Sequence, residues 1–281
     1  MKKFLISLLC LICSLSSYAY DWEHVSLSGG CDFITHYTWR GFIKGSVSLQ
    51  PWIEFSAYGV SVGTWASVGS GVYSDFYHKF VPRIDVYLSY TTPGDWATAM
   101  VTHYYYFAGE KYFNFAYDKA YDKLLAGTTQ DEVELTIRPL MFMEEYNGLE
   151  IGAAVMIGGG DYFSGNGEKI EDDVIINTYK KLYSTYVYFR YTHKIENWTI
   201  KSELGFSPNP SMYTYYDPVK KKHNSFALNN LECLVNYSFF DNDIVNAYIL
   251  AEIRFNLFDV GCEKFAYGKN FGWNLGIGFE L

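Results

Sequence analysis

Residues 271–281 alternate without a break. Phe271, Trp273, Leu275, Ile277, Phe279 and Leu281 are apolar, and Gly272, Asn274, Gly276, Gly278 and Glu280 between them are small or polar. A two-residue period is that of a β-strand with one apolar face. At about 10 residues the stretch also has the length of a tilted strand that crosses a bilayer. A strand of a soluble sandwich alternates too, so the recurrence of the pattern decides.

The pattern recurs upstream over 23–37, 47–58, 60–68, 83–91, 96–107, 131–143, 149–157, 179–192, 198–207, 226–239 and 244–255. With 271–281 this predicts an all-β chain of about twelve strands. The connections after the second, fourth, sixth, eighth and tenth strands are short, Tyr58-Gly59 being minimal. Those after the odd-numbered strands are mostly longer, notably 69–82, 108–130, 158–178, 208–225 and 256–270. An even strand number with short and long connections in turn is the mark of an outer-membrane barrel, with short periplasmic turns, long extracellular loops and both termini periplasmic. A sandwich has no reason to segregate its loops. In hydrocarbon an open sheet edge leaves backbone groups without partners, so the last strand is expected to close on the first in one antiparallel transmembrane β-barrel.

The N-terminal stretch fits export. Lys2 and Lys3 precede an apolar run over 4–13 that is too short to span a membrane, and Ser17-Tyr18-Ala19 forms a small-x-small cleavage site. Residues 1–19 read as a signal peptide and 20–281 as the barrel. After the signal no apolar run reaches helix-spanning length. Aromatic residues make up 20% of the chain while mean hydropathy is -0.07. Neutral hydropathy with many aromatics is expected when alternate residues face lipid and lumen and aromatic belts mark both interfaces. The net charge of -9 argues against a nucleic-acid partner. Beyond the signal, Cys31, Cys233 and Cys262 are odd in number and scattered, and read as small apolar residues rather than a disulfide framework.

If the apolar faces meet lipid, the lumen receives Asp32, Glu54, Asp85, Glu132, Glu134, Glu203, Glu232 and Glu252 against Arg83, Arg138, Arg190, Lys201 and Arg254. This has two readings: a water-filled passage whose field selects solutes, or a pairing network that fills and stiffens a narrow barrel. Twelve strands lie between filled eight-stranded barrels and open porins. Eight acids against five bases lean such a passage weakly toward cations. No HExxH, paired-cysteine spacing or EF-hand spacing is present, so no metal or other cofactor is expected, and the acidic stretch 161–173 reads as a solvated loop. A lipid hydrolase needs a serine, a histidine and an orienting group together near the lipid boundary. His103, whose facing is ambiguous, is the sole mid-strand candidate; Thr102 and Tyr104 flank it, and no GxSxG occurs. An enzyme is therefore not expected.

The segment Asp32-Phe33-Ile34-Thr35-His36-Tyr37-Thr38-Trp39-Arg40-Gly41-Phe42 resembles the Y-x-(F/W)-R-G segment of the TorF-family porins. The resemblance extends through Ser48-Leu49-Gln50-Pro51, Gly63-Thr64-Trp65-Ala66-Ser67, Ile84-Asp85-Val86-Tyr87 and His103-Tyr104-Tyr105-Tyr106, departs near Pro51, and covers mainly the first third. It implies an outer-membrane barrel with porin activity and no established substrate. Arg40 either reaches into the channel mouth or belongs to a girdle turn. The expected function is passive diffusion of small hydrophilic solutes, with outer-membrane lipid and lipopolysaccharide as surroundings. The alternatives are a structural or adhesive barrel with a plugged lumen and, further off, the lipid hydrolase.

Overall fold

The computed structural model describes residues 25–40, 42–45, 47–69, 83–106, 129–140, 142–143, 148–159, 162–171, 174–211, 216–217, 222–223, 226–242, 244–255 and 271–281. Eighteen strands appear among them: β1 Val25–Ile34, β2 Tyr37–Trp39, β3 Phe42–Gly45, β4 Ser48–Ala57, β5 Val60–Gly69, β6 Arg83–Thr91, β7 Ala97–Tyr106, β8 Thr129–Ile137, β9 Leu149–Gly159, β10 Tyr162–Glu171, β11 Val174–Lys181, β12 Thr185–Ile195, β13 Trp198–Ser207, β14 Tyr216–Asp217, β15 Lys222–His223, β16 Ala227–Asp241, β17 Asn246–Phe255 and β18 Phe271–Glu280. No helix occurs among the described residues.

Twelve of these strands close a barrel in the order β1-β18-β17-β16-β13-β12-β9-β8-β7-β6-β5-β4, and each seam is antiparallel. The closing seam runs from Gly30 opposite Glu280 to Ile34 opposite Gly276. Leu281 and Gly29 extend it with reciprocal backbone hydrogen bonds of 2.7 and 3.3 Å. Closure leaves neither β1 nor β18 with an unpaired edge. The other six strands form the hairpins β2-β3, β10-β11 and β14-β15, each inserted in a connection at the end opposite the short turns. Of the expected long connections, 69–82 apart from Gly69, 108–130 apart from its last two residues, and all of 256–270 lie outside the described residues, as do the signal over 1–19 and Cys262; Gly69 ends β5, and Thr129 and Gln130 open β8. Cys31 and Cys233 are free thiols.

The side chains sort by pleat. Leu275 is 52% exposed and its neighbour Asn274 3%. Ile53, Phe55, Val86, Leu88, Leu135, Ile249 and Ile253 are likewise exposed on the outside. Ser48, Gln50, Arg83, Asp85, Glu132, Glu203, Glu252 and Arg254 are buried inside. This inverts a water-soluble protein, whose apolar faces turn inward.

Three expected strands need correction. The first ends at Ile34 rather than at 37. There the chain bends inward, and Tyr37, expected on the apolar outer face with Thr35, is buried inside the barrel. The eighth does not run over 179–192. The chain leaves β11 at Lys181, passes Tyr183 at φ 51°, and starts a separate barrel strand at Thr185. A left-handed residue interrupts the extended pairing geometry. The sixth stops at Ile137 rather than continuing to 143.

Candidate functional site: a hairpin across the bore

The inward bend after β1 is captured by one side chain. The Asn274 Oδ1 on β18 accepts hydrogen bonds from the Thr35 N–H (3.1 Å), the Thr35 hydroxyl (2.9 Å) and the His36 N–H (3.1 Å). Buried backbone donors must find acceptors: the Thr35 N–H is shared between this oxygen and the Leu275 carbonyl at 2.9 Å, and the His36 N–H takes the Asn274 oxygen from 238 residues away. The Asn274 Nδ2 donates to Glu252 at 3.3 Å.

Beyond this anchor, β2 and β3 pair through Trp39 opposite Phe42, and Arg40 sits in the turn at φ 50°. Tight hairpin turns require such positive φ values. An arginine adopts this conformation less readily than glycine or asparagine, at a cost of about 1–2 kcal/mol. Its side chain explains why it is tolerated. The guanidinium donates NH1 to Glu132 Oε2 at 2.5 Å and NH2 to Glu132 Oε1 at 2.7 Å, a bidentate pair, with Glu134 at 3.9 Å. It also lies 4.8 Å from the Trp39 ring centre and 4.7 Å from that of Tyr186.

A second arginine completes the seat. Arg83 donates Nε and NH2 to the two Asp85 oxygens at 2.6 Å each, and NH1 to the Tyr37 hydroxyl at 2.6 Å. Its guanidinium lies 4.9 Å from the Trp39 ring and 4.2 Å from that of Tyr104. Trp39 thus contacts two guanidiniums, and Tyr104 meets it edge-on at 5.8 Å while donating its hydroxyl to Glu132 at 2.7 Å. Burial pushes the Tyr37 hydroxyl far above the ordinary tyrosine pKa, so it stays neutral. On the other side, the Thr38 hydroxyl donates to Glu252 at 3.2 Å. In the barrel order Glu252 on β17 stands diametrically opposite β7. The hairpin therefore bridges the lumen, latched to β6–β8 by arginine pairs and to β17–β18 by hydrogen bonds.

Around it runs a repeated device. On the inner face Gly63, Gly152, Gly205 and Gly278 each lie under a tyrosine ring from an adjoining strand: Tyr87, Tyr188, Tyr186 and Tyr248. A β-carbon at any of the four would collide with the ring. Each hydroxyl, so placed, reaches a carboxylate: Tyr87 to Glu54 (2.8 Å), Tyr188 to Glu134 (2.7 Å), Tyr186 to Glu203 (2.7 Å) and Tyr248 to Asp32 (2.6 Å).

Of the residues the sequence pointed to, Asp32, Arg40, Arg83, Asp85, Glu134, Arg190, Lys201, Glu203, Glu232 and Glu252 line a cavity of about 470 Å³ beside the hairpin. Glu132 is buried beneath Arg40. Arg254 is buried 3.9 Å from Glu252. Glu54 accepts from Tyr87 and Ser56. Arg138 sits near the short turns, bonded to Glu150 and to the Asp95 carbonyl. Arg190 joins Glu203 (2.8 Å) and Glu150 (3.1 Å). Glu150 was missed, although it alternates with Leu149 and Ile151 on β9. Gln50, Asn230 and Asn274 were not among the expected lining residues, although parity puts Gln50 and Asn274 on the polar faces of their strands; a count of ionisable groups overlooks amides.

His103 faces outward, where its Nδ1 lies 2.6 Å from Asp131. Its register neighbours on the flanking strands are Val86 and Asp131, so no serine stands beside it. Among the described residues no cluster of three or more His, Cys, Asp or Glu has metal-holding geometry.

No family model matches the chain, and no curated protein matches it; the resemblance to the TorF-family porins gains no support from either comparison. Among solved structures, the chain is similar to a NanC porin, with 10% identity over 90% of this chain and 98% of that one at TM-score 0.44. It is also similar to the P. putida toluene transporter TodX, with 9% identity over 94% of this chain and 89% of that one at TM-score 0.32.

Proposed function

We propose that this protein is an outer-membrane channel, exported by residues 1–19, that passes small hydrophilic solutes by diffusion with a weak preference for cations. The observation that carries this reading is the inverted barrel: apolar residues such as Leu275 and Leu135 cover its outside, while charged and amide side chains fill its inside. Such a surface is stable in hydrocarbon, where closed strands satisfy the backbone. The short-turn end, which carries both ends of the barrel sheet, is the periplasmic end. Acids on the inner face outnumber bases. Arg40 and Glu150 add one charge of each sign to the earlier eight and five, so the acidic excess persists. A negative wall attracts cations and repels anions.

The test is a planar bilayer with purified protein and a tenfold potassium chloride gradient. Current steps with a reversal potential of the cation-selective sign are expected; an anion-selective sign overturns the selectivity. A second reading, a structural barrel with a plugged lumen, is favoured by the hairpin that bridges the bore through Arg40, Arg83 and Thr38. It predicts no conductance from the native chain.

A further inference from the structure

The apolar outside of the barrel has one break. His103 on β7 and Asp131 on β8 are register partners whose Nδ1 and Oδ1 atoms lie 2.6 Å apart, with side chains 40% and 42% exposed. On the outer faces of the twelve barrel strands Asp131 is the one carboxylate among the described residues. The wall is shaped to hold it. A bulge between Asp131 and Glu132 brings Gly158 opposite, where a β-carbon would collide with the Asp131 carboxylate. Among the described residues the His103 Nε2 and the Asp131 Oδ2 have no hydrogen-bond partner.

The pair stands within the apolar band. From Ala97 to His103 and from Asp131 to Ile137 the count is six residues, each taken from the short-turn end. Six residues rise about 15 Å along the axis of a barrel whose strands tilt by about 40°, and the band is about 25 Å tall. Ionisable groups facing hydrocarbon at such depth are costly and normally meet a partner.

The surrounding face differs from the rest of the belt. Among the described residues β7, β8 and β9 expose no aromatic side chain on it, whereas β12, β13, β16, β17 and β18 expose Phe189, Trp198, Phe239, Phe255 and Trp273. Val101, Val133 and Val155 form one row across the three strands, and Ala99, Leu135 and Ala153 form the next. Aromatic side chains mark the lipid interface. A flat aliphatic face carrying a pair of opposite charges suits protein instead.

We propose that this face joins two copies of the chain in a reversible dimer. Its two charges make it its own complement. Under a two-fold axis along the membrane normal, the His103 Nε2 of each copy donates to the Asp131 Oδ2 of the other. Two histidine rings and two carboxylates then close a ring away from lipid. A phosphate headgroup lies above this depth and is repelled by Asp131. Three tilted strands over the band present about 450 Å² per copy, or roughly 900 Å² for both. That is below the ~1,200 Å² of a lasting complex, so the dimer forms and parts with concentration. In a lone copy the same residues face lipid. The inference takes from the channel reading that the barrel stands in a bilayer, and it needs no conductance.

The test is sedimentation equilibrium of the full chain in density-matched micelles, with energy transfer between donor- and acceptor-labelled copies diluted in lipid vesicles. The native chain is expected to pass from monomer to dimer as the ratio of protein to lipid rises. Asp131→Val takes a charge out of the belt, so the variant should unfold no more easily than native yet dimerise about tenfold more weakly. Val133→Trp crowds the flat face without touching the pair and should weaken the dimer as much. Exchanging the pair, His103→Asp with Asp131→His, should return the dimer to within about threefold of native. If the valine variant does not fold, Asp131→Asn takes its place. A native chain that stays monomeric at every ratio, a dimer that either single substitution leaves unchanged, or an exchange that restores nothing overturns this interface. A dimer without bilayer current keeps the interface and overturns the channel reading. Current from a chain that never dimerises does the reverse.

Discussion

Removing the Arg40 side chain should unlatch the hairpin from the barrel wall. In the native chain its guanidinium forms a two-point pair with Glu132, whose side chain is 1% exposed, and contacts Trp39 and Tyr186. Arg40→Ala leaves Glu132 buried with the Tyr104 hydroxyl as its remaining partner among the described residues. Breaking a buried pair from one side costs about 3–5 kcal/mol. At about 1.4 kcal/mol per tenfold, that shifts the ratio of latched to released hairpin by roughly two to three and a half powers of ten. Ala keeps the unfavourable φ of 50°, whereas Arg40→Gly relieves about 1 kcal/mol of it. The glycine variant should therefore lose about 2–4 kcal/mol.

Urea unfolding from lipid vesicles measures the stability, and single-channel conductance measures the bore. Arg40→Ala should lower stability and raise conductance together. Adding Glu132→Gln removes the stranded charge and should recover stability, while conductance stays high because the latch is still absent. A non-zero coupling in that double-mutant cycle is part of the expectation. If Arg40→Ala leaves stability within about 0.5 kcal/mol of native and conductance unchanged, the pair is not what holds the hairpin across the lumen.

Other expectations follow from the same geometry. Asn274→Leu strips the acceptor shared by Thr35 and His36; the Thr35 N–H keeps the Leu275 carbonyl at 2.9 Å, so the change should cost about 1–3 kcal/mol for the His36 donor left unmet, read as destabilisation together with higher conductance. Leu135→Arg places a charge in the outer apolar belt at a residue 53% exposed and should cost about 2–4 kcal/mol in vesicles if that belt faces hydrocarbon; no change in unfolding there would refute a bilayer around the barrel. Gly152→Ala drives a methyl into the Tyr188 ring and should cost about 1–3 kcal/mol, with loss of the Tyr188–Glu134 bond seen as a changed tyrosine absorbance.

Most of the architecture was legible in the amino-acid order. The number of barrel strands and their antiparallel closure follow from a period of two and from the places where it stops. A strand's faces are fixed by parity, so Asp32, Glu132, Glu203 and Glu252 were assigned inward before any fold was known. Glu150 obeys the same parity. His103 was undecided because Met100 and Val101 are both apolar, and its direction emerged only once β7 was paired with β6 and β8.

What the order of residues left open is the interior. Alternation runs on through Thr35 and Tyr37, so local pattern prolongs the first strand past Ile34; the amide of Asn274, 239 residues away, ends it by capturing the backbone there. Parity assigns a side chain to the inside of a barrel but does not say what it meets across the lumen. That depends on which strands stand opposite, and only closure brings β17 to one side of the hairpin and β7 to the other. Local hydrophobic period determined the cylinder, whereas hydrogen bonds and ion pairs between residues far apart in the chain decided that a hairpin bridges it.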